Sequence, residues 1–237
     1  MSNSYFQFKQ FTIRQDLCAM KVCTDACILG AWFAPKIADT ATVLDIGTGT
    51  GLLMMMLAQQ SEAEIHGIEI NKDAFKQVEE NIAGQKWKNR FKIFHGDARK
   101  FHLPMKYDFI ISNPPFYEKD LRSGNDAIDT AMHSSQLQFD ELFQIIQINL
   151  LPNGTFGILL PVKRAEEFIK LAAVQNFHLV EKLMIRQSCT RAYFRTVLHF
   201  ARVQQNPKPD TELVIQSDEG VYTEEFVELM REYYLNL

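Results

Sequence analysis

Residues Thr42 to Gly51 read Thr-Val-Leu-Asp-Ile-Gly-Thr-Gly-Thr-Gly, and this stretch decides the fold. The β-branched run from Thr42 to Ile46 predicts a buried strand. Three alternating glycines follow it, and an apolar run from Leu52 to Ala58 predicts a helix. A glycine turn between a strand and a helix lets the backbone approach a ligand without a Cβ clash. The stretch therefore predicts the ligand loop of an α/β sheet.

Strands and helices alternate on both sides of this loop. Further strands are predicted at 6–13 (one or two short ones), 64–70, 91–94, 109–111, 155–160, 180–186, 196–203 and 212–216. Helices are predicted after a cap at Thr24 or Asp25, and at 73–82, 137–151, 166–174 and 223–234, with a turn at 152–154. Such alternation predicts a parallel, doubly wound sheet. The strands at 180–186 and 196–203 are expected to form an antiparallel edge.

Composition indicates an ordinary globular protein. The chain has 237 residues, 46% of them hydrophobic and 23% charged, and no apolar run approaches the ~20 residues of a membrane span. With no apolar signal core near its start, we expect a cytoplasmic location. The four cysteines form no C-x-x-C pair, so we expect reduced thiols and no metal site. A net charge of −4 disfavours wholesale coating of nucleic acid but is compatible with a local basic face.

The glycine spacing departs from the dinucleotide fingerprint G-x-G-x-x-G, whose third glycine would fall at Leu52. This disfavours a nicotinamide dehydrogenase. No pyrophosphate site is needed if the ligand has an amino-acid head, because its carboxylate can take the freed N–H groups. Asp45 then lies close enough to favour an ammonium or sulfonium charge.

Two more acidic residues stand at predicted strand ends. Glu69 suits both hydroxyls of a ribose, since a carboxylate accepts two donors. Asp97 suits an adenine amino group. Alone, each is more often a solvated loop residue, but in company with the glycine loop they indicate an adenosine-like ligand.

The apolar run from Phe109 to Ile111 ends at Ser112-Asn113, and Pro114, Pro115 and Phe116 follow. Both prolines lack a backbone N–H group and hold φ near −65°, so neither continues a strand ladder. Ligands of open α/β sheets bind outside the carboxyl ends of the strands. A stiff turn at such an end holds the Asn113 amide and the Phe116 ring in place, although the stretch taken alone favours a strand followed by a simple proline turn.

These motifs resemble those of the class I S-adenosylmethionine-dependent methyltransferases. The glycine loop (Asp45, Gly47, Thr48, Gly49 and Gly51) is similar to their first motif, Glu69 to their second and Asp97 to their adenine-binding position. The resemblance implies S-adenosyl-L-methionine as cofactor. It also implies a Rossmann-like α/β fold, with helices on both faces of a mostly parallel seven-stranded sheet whose last strand is antiparallel.

Asn113-Pro-Pro-Phe116 resembles the (Asn/Asp)-Pro-Pro-(Tyr/Phe) signature of enzymes that methylate planar nitrogens: adenine N6, guanine N2 or a glutamine amide. By this resemblance Asn113, Pro114, Pro115 and Phe116 are the catalytic residues. The Asn113 side-chain carbonyl and the Pro114 backbone carbonyl would accept both N–H groups of the target, and Phe116 would stack on the flipped base.

The segment before the glycine loop is similar to that of a narrower group, the bacterial tRNA(1)-valine adenine-N6 methyltransferases. The similar stretches are Lys9-Gln-Phe11, Cys18-Ala-Met-Lys-Val22, Thr24-Asp25 and Leu29-Gly-Ala-Trp32. Cys23 departs from the group, in which a glycine is expected before Thr24-Asp25. Ala26-Cys27 also departs, because the group usually has a glycine at one of these two positions. The resemblance implies methylation of the adenosine next to the anticodon of a tRNA.

One domain is expected, with an N-terminal cap segment (1–38), a catalytic core (39–203) and a C-terminal extension (204–237). Residues 117–135 are predicted to be a substrate-facing loop. The candidate RNA contacts are Lys119, Arg122, Arg191 and Arg195. A monomer and a weak dimer both stay open.

Three alternatives stay open as well. Guanine-N2 methylation of ribosomal RNA uses the same four-residue signature. Glutamine-amide methylation does too, although the roughly 40 residues before the glycine loop leave little room for a helical recognition domain. A binding module without turnover would have no need for Asn113.

Overall fold

The computed structural model describes residues 3–18, 20–115 and 137–237. The predictions made for Phe116, Lys119, Arg122 and the loop at 117–135 lie outside these residues. Within them, no helix is both long enough and apolar enough to cross a membrane.

The secondary structure follows the predicted alternation. The strands are β1 (Tyr5–Gln7), β2 (Thr12–Arg14), β3 (Thr42–Ile46), β4 (Glu64–Glu69), β5 (Phe91–His95), β6 (Tyr107–Ser112), β7 (Leu150–Pro161), β8 (His178–Arg186), β9 (Tyr193–Ala201) and β10 (Thr211–Val214). The helices are α1 (Thr24–Phe33), α2 (Leu52–Gln60), α3 (Lys72–Ala83), α4 (Phe139–Asn149), α5 (Val162–Val174) and α6 (Glu224–Met230).

The main sheet has the strand order β10-β8-β9-β7-β6-β3-β4-β5, while β1 and β2 form a separate hairpin. Only β9 runs antiparallel to its neighbours in the main sheet. The predicted α/β sheet is therefore confirmed, but the expected count of seven strands was wrong. The eighth strand, β10, pairs in parallel with β8, and β9 lies inside the sheet instead of at its edge.

The sheet separates two apolar clusters. Val43 of β3 packs with α1, α2, α3 and α6, whereas its neighbour Leu44 packs with α4 and α5 on the other face. Successive side chains of a strand point to opposite faces, so a strand covered on both sides is apolar throughout. Helix α2 is buried on all sides from Leu52 to Ala58, which explains why its sequence shows no polar face.

Two local predictions were wrong. Helix α1 begins with Cys23 as its N-cap, and no side chain caps it. The turn expected at residues 152–154 lies within β7, beside an irregularity in the pairing of β6 with β7. Gly154 permits this because a Cβ there would lie 3.0 Å from the Asp108 carbonyl oxygen and closer still to Leu150.

The two ends of the chain pack against each other. The Lys9 N–H group donates to the Tyr233 carbonyl oxygen over 2.8 Å, and the Tyr233 hydroxyl donates to the Met56 carbonyl oxygen over 3.1 Å. The rings of Phe8 and Tyr234 lie 6.0 Å apart. The N-terminal segment and the C-terminal extension therefore share the core on the α1 and α2 face.

Asn81 of α3 fastens the N-terminal segment to the glycine loop. Its Oδ1 atom accepts the Arg14 N–H group over 2.9 Å, and its Nδ2 atom donates to the carbonyl oxygens of Arg14 and Thr50 over 2.8 and 2.9 Å. Three backbone groups from two separate segments thus depend on one buried amide.

Replacing Asn81 by Ala is expected to lower the free energy of unfolding by about 2–4 kcal/mol, because buried backbone groups lose their partners. Urea denaturation monitored by circular dichroism measures this. The control is Glu79→Ala on the exposed face of the same helix, which should change stability by less than about 0.5 kcal/mol. Equal effects of the two substitutions would contradict the proposed bridge.

Candidate active site

A cavity of about 550 Å³ opens at the carboxyl edge of the sheet, beyond the ends of β3, β4, β5 and β6. Seven of the residues predicted for the site line it: Gly47, Gly49, Glu69, Asp97, Asn113, Pro114 and Pro115. Cofactor and catalytic candidates from four separate strand ends thus meet in one space. Their roles stay predictions, but their convergence is a fact of the fold.

The glycine loop reaches this cavity through left-handed backbone. Gly47, Gly49 and Gly51 have φ values of 74°, 55° and 82°, which residues with a Cβ rarely adopt. The N–H groups of Gly47 and Thr48 bind the Ile68 carbonyl oxygen over 2.9 and 3.2 Å. Gly51 lies behind the cavity, and a Cβ there would be 2.7 Å from Val78. Gly51 and the buried Thr48 therefore shape the loop without lining the cavity.

Glu69 ties the loop to the next segment of the chain. One carboxylate oxygen accepts the Gly49 N–H group over 2.9 Å, and the other accepts the Asn71 N–H group over 2.8 Å. A carboxylate offers about four acceptor positions, so two remain for a diol. The hydrogen bond from Gly49 to Glu69 was not predicted, because the sequence does not show which N–H groups of the glycine loop point toward the end of β4.

Asp45 lies beneath the loop and not in the cavity wall. It is 1% exposed, and the Thr48 hydroxyl donates to its Oδ2 atom over 2.7 Å. Its buried Oδ1 atom has no hydrogen-bond partner among the described residues. Burial raises the pKa of Asp45 to about 7, the hydrogen bond from Thr48 opposes this rise, and the charge of Glu69 adds to it.

Asp97 is held by Arg99, which sequence reasoning did not single out. The Arg99 Nε atom lies 2.8 and 3.0 Å from the two carboxylate oxygens, and Nη2 donates to Oδ2 over 2.8 Å. The hydrogen bond from Arg99 is the main cause of a lowered pKa of Asp97. The carboxylate that was predicted to accept an adenine amino group is therefore ionised and oriented by a neighbour two residues along the chain.

The Asn-Pro-Pro corner is fastened to the glycine loop from below. The buried Ser112 hydroxyl donates to the carbonyl oxygen of Ile46, the residue before Gly47, over 2.9 Å. Asn113 follows, half-buried at the cavity, and Pro114 is buried beside it. This hydrogen bond joins the ends of β6 and β3, so the corner and the loop share one rigid base.

The N-terminal segment contributes Cys18 and Met20 to the cavity wall. Burial raises the pKa of the Cys18 thiol to about 11, so it stays protonated near neutral pH. Cys23 and Cys27 do not line the cavity. Cys27 is fully buried and hydrogen-bonded with Tyr234.

The two described arginines predicted to contact RNA differ. Arg195 forms an ion pair with Asp25 of α1 over 2.9 Å, so its positive charge is partly neutralised within the fold. Arg191 is exposed on the connection between β8 and β9. Since β7 and β8 both run antiparallel to β9, that connection lies at the same sheet edge as the cavity. In residues 3–18, 20–115 and 137–237, no group of three or more His, Cys, Asp or Glu residues is arranged to hold a metal ion.

The chain is similar in sequence to known methyltransferases. Residues 28–139 match the family model described as "Methyltransferase small domain". The tRNA1(Val) (adenine(37)-N6)-methyltransferase of Dyadobacter fermentans is 41% identical over 237 residues, which cover 98% of each chain.

Solved structures agree on the fold. A protein from Agrobacterium tumefaciens described as a predicted O-methyltransferase superposes with a TM-score of 0.67 at 14% identity, covering 89% of this chain and 99% of its own. The glycopeptide N-methyltransferase MtfA, complexed with S-adenosyl-L-homocysteine, gives a TM-score of 0.56 at 11% identity, covering 77% of this chain and 93% of its own.

The buried Asp45 predicts a pH effect on stability. Its folded pKa of about 7 exceeds the ordinary 3.8, so between these pH values the folded state keeps a proton that the unfolded state loses. The Asp45 contribution to stability therefore falls as pH rises from about 4 to 7. Asn cannot titrate, so Asp45→Asn should gain stability relative to wild type over this window, by up to about 1.4 kcal/mol per pH unit.

Urea denaturation of both proteins at several pH values, without ligand, measures this difference. Using the difference cancels the titration of all other groups. A difference that does not change between pH 4 and 7 would show that Asp45 is ionised in the fold.

Proposed function

The chain belongs to the family of the tRNA1(Val) (adenine(37)-N6)-methyltransferases, and from this premise we propose that it methylates the exocyclic N6 of an adenosine in tRNA, with S-adenosyl-L-methionine as donor. The similarity to relatives of this name covers nearly the whole chain, including the N-terminal segment. The observation that carries the proposal is the convergence of the Asn-Pro-Pro corner with the glycine loop, Glu69 and Asp97 around one cavity.

The described residues fit the cofactor. The cavity is of a size that holds a small organic ligand, and its wall carries a ribose acceptor, Glu69, and an amino-group acceptor, Asp97. Left-handed Gly47 and Gly49 let the backbone approach the ligand closely. When bound, S-adenosyl-L-methionine supplies an electrophilic methyl group. Asp45 lies beneath the loop, outside the cavity wall, where an ionised carboxylate would attract the cationic end of the cofactor without contacting it.

The Asn-Pro-Pro corner prepares the nucleophile. The lone pair of an exocyclic amino group is delocalised into the purine ring, so the nitrogen attacks poorly while it is planar. Hydrogen bonds from its two N–H groups to the carbonyl oxygens of Asn113 and Pro114 would draw it toward a tetrahedral shape. The nitrogen would then gain a bond to the methyl carbon as the carbon–sulfur bond of the donor breaks. The electron pair of the broken bond would stay on the sulfur as a neutral thioether, and the nitrogen would release one proton to solvent. Positioning supplies much of the rate, because the corner is fastened to the base of the glycine loop.

Other parts of the chain complete the proposal. Phe116 would stack on the flipped base, and Lys119, Arg122, Arg191 and Arg195 would contact RNA phosphates. The shared core of both chain ends supports a single domain over residues 1–237. The proposed tRNA substrate supports a cytoplasmic location. Guanine-N2 and glutamine-amide methylation remain the rivals that share the corner.

Purified protein incubated with labelled cofactor should transfer label to tRNA, recovered as N6-methyladenosine by nucleoside analysis. Separate pools of ribosomal RNA and protein should stay unlabelled. Asn113→Ala should remove nearly all turnover and leave the Kd of the cofactor close to wild type, because the lost carbonyl contacts only the target nitrogen. Label in another pool would favour a rival, and unchanged turnover in Asn113→Ala would refute the role of the corner.

Arg191→Gln is expected to weaken tRNA binding several-fold at low salt and to reduce the slope of log Kd against log salt by about 1, as for the loss of one phosphate contact. Lys170→Gln is the control, since Lys170 is exposed two turns along α5, away from the cavity edge. Filter binding at several salt concentrations measures both variants. Equal slopes for the two would show that Arg191 does not contact the RNA.

A further inference from the structure

We infer that Arg99 is a positioning residue that makes the cofactor site selective for a purine with a 6-amino group, by fixing the carboxylate of Asp97. This rests on the proposed function, in which Asp97 accepts the amino group of the cofactor adenine. Arg99 lies outside the motifs that indicated the site, and binding measurements can separate its proposed role from catalysis.

The contacts on Asp97 leave one acceptor position. A carboxylate has about four, and Arg99 occupies three with separate N–H groups. Its backbone N–H lies 3.0 Å from Oδ1, and Nη2 lies 2.8 Å from Oδ2. The single Nε–H group lies 2.8 Å from Oδ1 and 3.0 Å from Oδ2, and the shorter distance marks Oδ1 as its main acceptor. The remaining position suits a single N–H group, which is what an exocyclic amino group offers.

The guanidinium is itself held from the far side. Its Nη1 atom donates to Glu141 of α4 over 3.1 Å, and Glu141 also accepts the Gln138 N–H group over 2.8 Å in the capping box of that helix. Arg99 therefore spans two carboxylates on separate elements. Because its planar fork cannot rotate without losing one of them, the direction of the Asp97 carboxylate is fixed.

A carboxylate held in one orientation discriminates between adenine and hypoxanthine, whereas a carboxylate that can rotate does not. Hypoxanthine carries a carbonyl oxygen at C6, which repels an ionised carboxylate, and its nearest donor is the neighbouring N1–H group. A carboxylate released from Arg99 can turn to accept that N1–H group. One held by Arg99 cannot turn, so it keeps the preference for adenine.

The test compares the Kd of S-adenosyl-L-homocysteine with that of its 6-oxo analogue, S-inosyl-L-homocysteine, by calorimetry. Wild type should prefer the adenine ligand by roughly 10- to 100-fold, the range expected for a hydrogen bond to a charged group. Arg99→Gln should reduce this ratio to about threefold or less. Arg99→Lys should fall between, since it keeps the charge without the planar fork. A ratio measured on one sample is insensitive to the fraction of folded protein.

The matched control is Lys100→Gln, which removes the same charge from an exposed neighbour that does not line the cavity, and its ratio should equal wild type. Asp97→Ala tests the adenine site separately from the role of Arg99. If Asp97→Ala loses the preference while Arg99→Gln or Arg99→Lys keeps it in full, the inference about Arg99 is overturned and the adenine site stands. If Asp97→Ala keeps the preference, the adenine assignment itself fails.

Discussion

The hydrogen bonds from Gly49 and Asn71 to the Glu69 carboxylate set the shape of the cavity edge. Parallel strands end at one edge, but nothing in a sheet alone decides how the following loops lie there. Here a single side chain at the end of β4 binds the loop after β3 and the start of the segment that leads into α3. Asn71 in turn caps α3 by accepting the N–H groups of Asp73 and Ala74, each over 3.0 Å. The positions of the glycine loop and of α3 are thereby both fixed by the same carboxylate.

This arrangement has an electrostatic consequence at Asp45. Asp45 is almost fully buried close to the Glu69 carboxylate, and its pKa rises because burial disfavours its charged form and the charge of Glu69 adds to the effect. Asp97 shows the opposite case, since Arg99 stabilises its ionised form. Three acidic residues that look alike in the sequence thus have three different surroundings: buried beneath the loop, bound to backbone N–H groups, and paired with a guanidinium.

The sequence predicted what depends on local chemistry. The glycine turn, the acidic strand ends and the proline corner each carry a local reason for their conformation, and they converge as expected. What depends on distant partners was missed. The four-residue strand β10 has too short a pattern to reveal that it pairs with β8, and Pro152 to Gly154 look like a turn because the chain alone does not show the close approach of Asp108. Arg99 was passed over for the same reason, since its second partner lies 42 residues away.

The Asn-Pro-Pro corner and the N-terminal segment are attached to the glycine loop at different points, and this couples their positions. The corner is joined to the base of the glycine loop by Ser112, and the N-terminal segment is joined to the other end of that loop by Asn81. Movement of the loop would therefore shift the cavity wall at Cys18 and Met20 together with the Asn113 amide. Since the orientation of cofactor and target must agree to within a fraction of an ångström for efficient transfer, attachment of both walls to one loop is a physical reason for the glycines to lie at its centre. In the proposed reaction the corner would determine which kind of nitrogen can react, and the loop would keep that nitrogen aligned with the donor.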